Sequence, residues 1–186
     1  MDILAAFGLS ASAGLNAYIP LLVVSLLARF TDLIHLSEPW AAMESWWIIG
    51  ILIVLSLVEF FADKIPVVNH INDAIQTFIR PTAGAVLFAA SANVITEIHP
   101  VLSLAAGLLV AGSVHVIKSA AVRPAITATT AGVGDIPVSI LEDVISTVLS
   151  ILSVLLPVLV GVVLVLLALW IILWFTRRSK RYHRES

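Results

Sequence analysis

The stretch Pro157–Thr176, PVLVGVVLVLLALWIILWFT, contains no charged residue. As a helix, a run of about 20 apolar residues is long enough to cross the hydrocarbon core of a bilayer, which is about 30 Å thick. The whole chain agrees with this: 60% of its 186 residues are hydrophobic and 12% are charged, against roughly 25% charged residues in soluble proteins. We therefore predict an integral membrane protein of the all-α class, folded as a polytopic bundle of transmembrane helices.

Basic residues follow this stretch directly. Half of the 10 lysines and arginines of the chain lie in its last ten residues, namely Arg177, Arg178, Lys180, Arg181 and Arg184. Because positive charges beside a spanning helix normally face the cytoplasm, we predict a basic cytoplasmic tail over 177–186. No polar segment approaches the roughly 50 residues that a separate domain needs, so 1–176 is expected to be a single transmembrane domain. The chain has no cysteine, which excludes disulfides and thiolate metal sites.

Three tripeptides upstream share a hydroxyl residue followed by Ala and Gly, and each has a proline nearby. They are Ser12–Gly14, Thr82–Gly84 and Thr130–Gly132. Gly and Pro weaken helices, and backbone groups freed within a membrane need protein or water partners. We therefore predict broken or re-entrant helices, and the first and third copies also allow an inverted repeat, with chance as the alternative. The predicted break positions are Gly14, Asn16, Gly84, Gly132 and Gly134.

Other segment limits follow from prolines and polar residues. We predict an amphipathic helix over Pro66–Arg80, a separate short segment over Pro81–Ile95, and a spanning helix over Pro100–Val122. The Thr-, Ala- and Gly-rich residues 125–135 indicate broken or re-entrant backbone. A single helix from Pro137 to Thr176 would be about 60 Å long at 1.5 Å per residue, so a division near Pro157 is expected.

Charged residues within the predicted helices are candidates for function, because an ionised side chain at the bilayer centre costs on the order of 3 kcal/mol. Glu59 and Asp63 are four residues apart, so they lie on one face of a helix. His115 and Lys118, three residues apart, do the same. The candidate residues for binding a substrate or an ion are Glu59, Asp63, His115, Lys118, Arg123, Asp135, Glu142 and Asp143.

Structural interpretations of these residues stay open. Glu59 could form a structural ion pair or lie at the membrane interface. His115 could be a neutral, hydrogen-bonded core histidine rather than a proton relay. Lys118 could extend its side chain to the interface. Asp135 could cap the helix that begins near Pro137.

A stripe of small polar residues continues from this acidic group. Ser139, Asp143, Ser146, Ser150 and Ser153 recur at steps of four, three, four and three, which places them on one face of a helix. Such a stripe either mediates close helix packing or lines a water-filled path. The sequence leaves both interpretations open.

Several of these features together resemble one family. They are SAGLNAYIP at Ser12–Pro20, Glu59 with DKIP at Asp63–Pro66, RPTAG at Arg80–Gly84, His115 with Lys118, and the pair Glu142-Asp143. The set is similar to the bacterial membrane group catalogued as domain-of-unknown-function family four-one-two-six. The resemblance covers about Gly8 to Val154, so the last helix and the tail fall outside it. It implies a membrane architecture, placed in the bacterial cytoplasmic (inner) membrane, but no reaction.

We predict a small transporter or channel for a cation or a proton-coupled solute, acting through the intramembrane carboxylates and His115. A chain of 186 residues has little room to enclose a pathway, so a homo-oligomer is expected, with a dimer favoured. One alternative is an enzyme or flippase for lipid or polyprenyl-phosphate headgroups, in which Arg80, Lys118 and Arg123 hold the phosphate. The other alternative is a non-catalytic membrane assembly protein.

Signatures of other chemistry are missing from the sequence. It has no phosphate-binding loop, no nucleophile elbow and no histidine-rich metal motif. It also lacks the basic and aromatic pattern of nucleic-acid binding. We predict no catalytic residue and no cofactor, and metal binding stays open. The expected partners are membrane lipid, a small ion or solute and a second copy of the chain, with no nucleic acid.

Overall fold

A computed structural model describes residues 3–64, 66–92 and 99–182. Over these residues the regular structure is helical. The helices are α1 (Ile3–Leu15), α2 (Tyr18–Phe30), α3 (Trp46–Ala62), α4 (Pro66–Ala92), α5 (Pro100–Ile117), α6 (Arg123–Thr130), α7 (Asp135–Leu155) and α8 (Pro157–Tyr182). A 3-10 turn (Trp40–Glu44) precedes α3, and a π-helical turn (Lys118–Val122) joins α5 to α6. The all-α class is confirmed.

Within the described residues, two helical stretches are long and apolar enough to cross a membrane: Pro100–Thr130 and Asp135–Leu155. Four further apolar helices are shorter, and they include the described apolar part of α8, Pro157–Leu173. The backbone of α8 continues as helix to Tyr182, into the predicted tail. Arg184 and the side chains of the other tail residues lie outside the described part of the chain.

Helix α1 lies at the centre of the bundle. It packs against α4, α5, α7 and α8, and all its residues from Gly8 to Gly14 are buried. The surrounding core contains small and aliphatic side chains, among them Leu9, Ala13 and Leu87. Small residues allow the helix backbones to approach closely. This packing places the end of α1 next to the charged residues described below.

Two of the three predicted helix breaks are confirmed. Helix α1 ends at Leu15, and the Asn16 side-chain oxygen accepts hydrogen bonds from the backbone N–H groups of Tyr18 and Ile19 at 3.1 and 3.0 Å. At the other break, Ala131 and Gly132 adopt left-handed backbone conformations with φ of 51° and 85°. The predicted division near Pro157 is confirmed as well, since Leu156 separates α7 from α8.

The break predicted at Gly84 is wrong, because α4 runs without interruption from Pro66 to Ala92 and includes Pro81. The two segments expected on either side of Pro81 are therefore one helix. Near the proline, the Thr82 hydroxyl donates to the Phe78 carbonyl oxygen at 2.7 Å. Gly84 serves packing instead, since a Cβ there would overlap Ala111 of α5. The broken backbone predicted over 125–135 is confined to 131–134, because α6 continues to Thr130.

The contact between α4 and α5 allows a test. A methyl group at Gly107 would overlap the Gly84 carbonyl oxygen and lie 2.6 Å from the Phe88 Cβ. We expect Gly107→Ala to push the helices apart and to cost about 1–3 kcal/mol of stability, as overpacking does. In the matched control Gly50→Ala, nothing lies within 4 Å of the new Cβ, so the melting temperature should hold or rise slightly. Equal melting temperatures for the two variants in detergent would contradict the close packing.

Candidate functional site

Ionisable side chains from several helices meet in the interior beside α1, and we call this group the ionic network. Its most buried member is Arg80 of α4, whose side chain has no exposed surface. The Arg80 Nη2 atom lies 2.9 Å from Glu59 Oε1 of α3 and 3.8 Å from Asp63 Oδ2, just beyond the end of α3. Glu59 and Asp63 therefore share a helix face, as predicted, and they share a cation.

Arg123 links three carboxylates that come from different parts of the chain. Its guanidinium contacts Asp63 Oδ2 at 3.2 Å, Asp73 Oδ2 at 3.1 Å and Glu142 Oε2 at 3.1 Å. Burial acts to raise the pKa of the Asp63 carboxyl. The surrounding positive charges, Arg123 foremost, outweigh burial and hold that pKa below its ordinary value. Asp63 is thus an ionised carboxylate at the centre of the network.

Lys118 connects the network to the end of α1. Its ammonium donates a hydrogen bond to the Leu15 carbonyl oxygen at 2.8 Å and pairs with Glu142 Oε2, also at 2.8 Å. In a regular α-helix Lys118 and Arg123 would point about 140° apart, at about 100° per residue. The π-helical turn changes this register, because the Arg123 N–H bonds to the Lys118 carbonyl, and both side chains reach the same Glu142 oxygen.

Asp143 connects α7 to the break between α1 and α2. Its Oδ1 atom accepts a hydrogen bond of 3.0 Å from the Asn16 side-chain amide, and its Oδ2 atom lies 3.6 Å from Lys64 Nζ. Asn16 therefore uses its oxygen to cap α2 and its nitrogen to bind Asp143. The helix break is thereby tied to the ionic network.

His115 is neutral in this arrangement, and its tautomer follows from its neighbours. The Arg80 guanidinium has only N–H donors, so at 3.2 Å the His115 Nδ1 atom must accept. The ring proton is then on Nε2, 3.1 Å from the Thr77 hydroxyl, which in turn donates to the Asp73 carbonyl oxygen. With Nδ1 occupied by a donor, His115 matches the description of a hydrogen-bonded core histidine.

The charges of the network do not balance. Among the described members the carboxylates number one more than the cations, so with neutral His115 their formal charges sum to minus one (five minus four). Three buried carboxylate oxygens of the described members, Glu59 Oε2, Asp73 Oδ1 and Asp143 Oδ2, have no hydrogen-bond partner. The site therefore has acceptor capacity left for a proton or a cation. The acidic members are Glu59, Asp63, Asp73, Glu142 and Asp143, and the basic members are Lys64, Arg80, Lys118 and Arg123.

Most of the predicted site residues meet in this network, and Asp135 does not. Asp135 is the first residue of α7 rather than its cap, and it accepts a hydrogen bond from the Thr127 hydroxyl at 2.8 Å. Of the predicted break residues, only Asn16 has a described hydrogen bond to the network. The described part of the chain groups no three His, Asp or Glu side chains in a way that could hold a metal ion. The predicted residues that meet are Glu59, Asp63, His115, Lys118, Arg123, Glu142 and Asp143.

Three members of the network are not among the residues predicted for the site. The sequence points to Arg80 only as a phosphate ligand in the alternative function, and it does not single out Asp73 or Lys64. Dividing α4 at Pro81 placed Arg80 at a segment end, where a charge carries little meaning. The available signal was the spacing of Asp73, Thr77 and Arg80, which places all three on one face of a continuous helix.

The serine stripe of α7 packs against α1. The Ser12 hydroxyl lies 2.8 Å from the Ser146 hydroxyl and 2.7 Å from that of Ser150, and a Cβ at Gly8 would overlap Ser153. Beyond Asp143, the contacts thus match the helix-packing interpretation of the stripe. Ser139, at the other end, lies 3.5 Å from Asp63 Oδ2 and belongs to the surroundings of the network.

The fold and the site define a class: an all-helical protein with apolar spanning candidates and a buried ionic network. The chain belongs to the family described as "Domain of unknown function (DUF4126)", whose model matches residues 3–178. The resemblance found in the sequence is confirmed, although the match extends into α8 as far as residue 178, and the last helix was predicted to lie outside it. No curated protein and no solved structure matches this chain.

Proposed function

We propose that this protein is a small polytopic membrane transporter for a cation or a proton-coupled solute, with the ionic network as its coupling site. The observation that carries the proposal is the network itself, whose described members have one net negative formal charge and three buried carboxylate oxygens without a hydrogen bond. Ionisable groups inside membrane proteins are costly and typically mark ion paths and proton relays. Stability alone is a poor explanation for a buried ionic network, because apolar side chains of similar volume at the same positions often make a protein more stable.

The distribution of polarity supports the membrane setting. Large apolar side chains on the candidate spans are exposed, for example Leu109 at 66%, Val116 at 57% and Val144 at 52%, while Arg80 is 0% exposed. An apolar exterior around an ionic interior is the reverse of a water-soluble protein. We propose a multi-pass protein of the bacterial inner membrane with a cytoplasmic C-terminus, working as a homodimer.

The interrupted helix supports transport over the other functions. Asn16 and the Leu15 carbonyl lie where α1 and α2 separate, and each contacts a charged side chain of the network. Broken helices whose ends face a central charged site are a common way for transporters to bind ions. A phosphate headgroup, by contrast, would have to displace carboxylates already paired with Arg80, Lys118 and Arg123.

One observation favours the assembly alternative as a second candidate. The hydrogen bonds between Ser12 and the serine stripe hold α1 against α7, as in a purely structural interface. If the network were also only structural, neutralising one carboxylate would change stability and nothing else. The effect of neutralising one carboxylate on transport therefore distinguishes a transporter from an assembly protein.

Reconstitution into liposomes containing a pH-sensitive dye tests the proposal. With an imposed membrane potential or a gradient of Na⁺ or K⁺, we expect the wild-type protein to change the internal pH. Glu59→Gln should reduce this flux to that of protein-free liposomes, because it removes the charge from the unpartnered oxygen. The matched control Glu38→Gln changes an exposed glutamate and should transport normally. Wild-type flux in Glu59→Gln, with correct folding, would contradict the proposal.

A further inference from the structure

We infer that Lys118 is the proton carrier of the site, and that its ammonium holds the end of α1 in place until the proton leaves. This inference rests on the proposed transport function and names the group through which the network exchanges a proton. The observation behind it is that the Lys118 amine lies between the end of α1 and the Glu142 carboxylate, which Arg123 also contacts.

The C-terminal end of α1 offers a site for a positive charge. The last carbonyl groups of a helix lack internal partners and carry partial negative charge. The Leu15 carbonyl is the final one of α1, and its oxygen accepts from the Lys118 ammonium at 2.8 Å. Lys118 is only 3% exposed, so this is a buried, charge-assisted hydrogen bond.

The Glu142 carboxylate is shared between Lys118 and Arg123. Lys118 Nζ and Arg123 Nη2 both contact Glu142 Oε2, at 2.8 and 3.1 Å, so the two cations lie no more than 5.9 Å apart (2.8 + 3.1). Two positive groups at this distance repel each other, and the repulsion is relieved if one of them loses a proton. Arginine stays protonated in proteins, whereas a buried lysine releases its proton readily.

Further charged groups interact with Lys118 electrostatically. Arginines favour loss of its proton and carboxylates oppose it. The described groups that face it are Glu59 and Asp63 from α3 and its end, Arg80 from α4, Glu142 and Asp143 from α7, and His115 and Arg123 from its own helical stretch. Glu142 keeps its ion pair with Arg123 when Lys118 becomes neutral.

The proton step is simple. The ammonium gives one proton to a water molecule and becomes a neutral amine, with no other bond broken. The hydrogen bond to Leu15 then loses its charge assistance. The end of α1, and with it the break at Asn16, is held less tightly. Proton release is thereby coupled to the helix that forms the centre of the bundle.

The chain has three lysines, Lys64, Lys118 and Lys180, so a direct measurement is possible. Full-length protein with lysines selectively labelled with ¹³C and ¹⁵N is placed in lipid nanodiscs, and Lys118→Arg assigns the signal. We expect the side-chain signal of Lys118 to change with pH over a range in which that of Lys180 stays constant. A Lys118 signal that changes only together with that of Lys180 would overturn the inference.

Flux measurements give the second readout. Lys118→Arg keeps the positive charge but cannot release a proton, so we expect a folded protein whose proton flux falls to that of protein-free liposomes. Lys180→Arg is the matched control and should keep wild-type flux. Wild-type flux in Lys118→Arg would overturn the inference, and if that variant does not fold, the titration decides alone. Absence of flux in the wild-type protein would instead contradict the proposed function, whatever Lys118 does.

Discussion

Arg80→Met is expected to lower the free energy of unfolding by about 3–5 kcal/mol, the cost of removing one partner from a buried ion pair. The methionine leaves Glu59, which is 1% exposed, without the cation that lies 2.9 Å away. It also removes the donor to His115 Nδ1. Thermal and denaturant unfolding in detergent, followed by size-exclusion chromatography, measures the loss.

A double variant makes this prediction specific. In Glu59→Met/Arg80→Met both charges are gone, and apolar side chains replace a buried pair, so we expect most of the stability to return. Arg29→Met is the control for a surface arginine: Arg29 stacks on Trp46 at 4.2 Å, and its loss should cost less than about 1 kcal/mol. A double variant no more stable than Arg80→Met alone would contradict the pairing of Glu59 with Arg80.

The variant Glu59→Met/Arg80→Met is also a test of function, because we expect it to keep most of its stability and to lose transport. The double variant should fold and yet show no flux, since the carboxylate proposed to take part in coupling is absent. A protein whose charges serve only assembly would keep all its properties in that variant. The same sample therefore distinguishes the transporter from the assembly alternative.

The sequence predicts the helical class and most of the helix ends, because these depend on local features. The Gly132 turn needs a left-handed backbone, and Asn16 caps the following helix, so both breaks can be recognised from neighbouring residues. Gly84 looks the same in sequence but lies against α5. A glycine that ends a helix and one that allows close packing are distinguished only by the neighbouring helix.

Prediction of the site from the sequence is limited in the same way. Burial cost identifies Glu59, His115 and Glu142 as unusual within apolar helices. It does not say which cation faces which carboxylate, because that depends on how the helices are oriented. The joint contact of Lys118 and Arg123 with Glu142 requires a π-helical turn, whereas helical periodicity alone separates them.

Arg123→Gln is the second change with a large expected effect, because it removes a cation that three carboxylates share. Asp63 retains Arg80 at 3.8 Å and Glu142 retains Lys118 at 2.8 Å. Among the described ion pairs, that of Asp73 is with Arg123 alone. The network would then carry two net negative charges, and we expect a loss of about 3–5 kcal/mol in the free energy of unfolding.

Arg123→Lys separates charge from geometry in this prediction. Lysine restores the positive charge, but a single ammonium cannot present the planar fork through which Arg123 contacts Asp73 with Nη1 and Asp63 and Glu142 with Nη2. We therefore expect Arg123→Lys to recover only part of the stability lost in Arg123→Gln. Full recovery would mean that net charge alone matters at this position.

Adding Asp73→Asn to Arg123→Gln tests the charge balance itself. Asparagine removes the carboxylate that loses its described cation and returns the network to one net negative charge, as in the wild-type protein. The double variant should therefore be more stable than Arg123→Gln, by an amount that a double-mutant cycle with Asp73→Asn alone measures as their coupling energy. Coupling near zero would show that Asp73 is already solvated well enough to stand alone. Substantial coupling would show that Arg123 fixes the beginning of α6 against α4 by charge, in the turn that also positions Lys118.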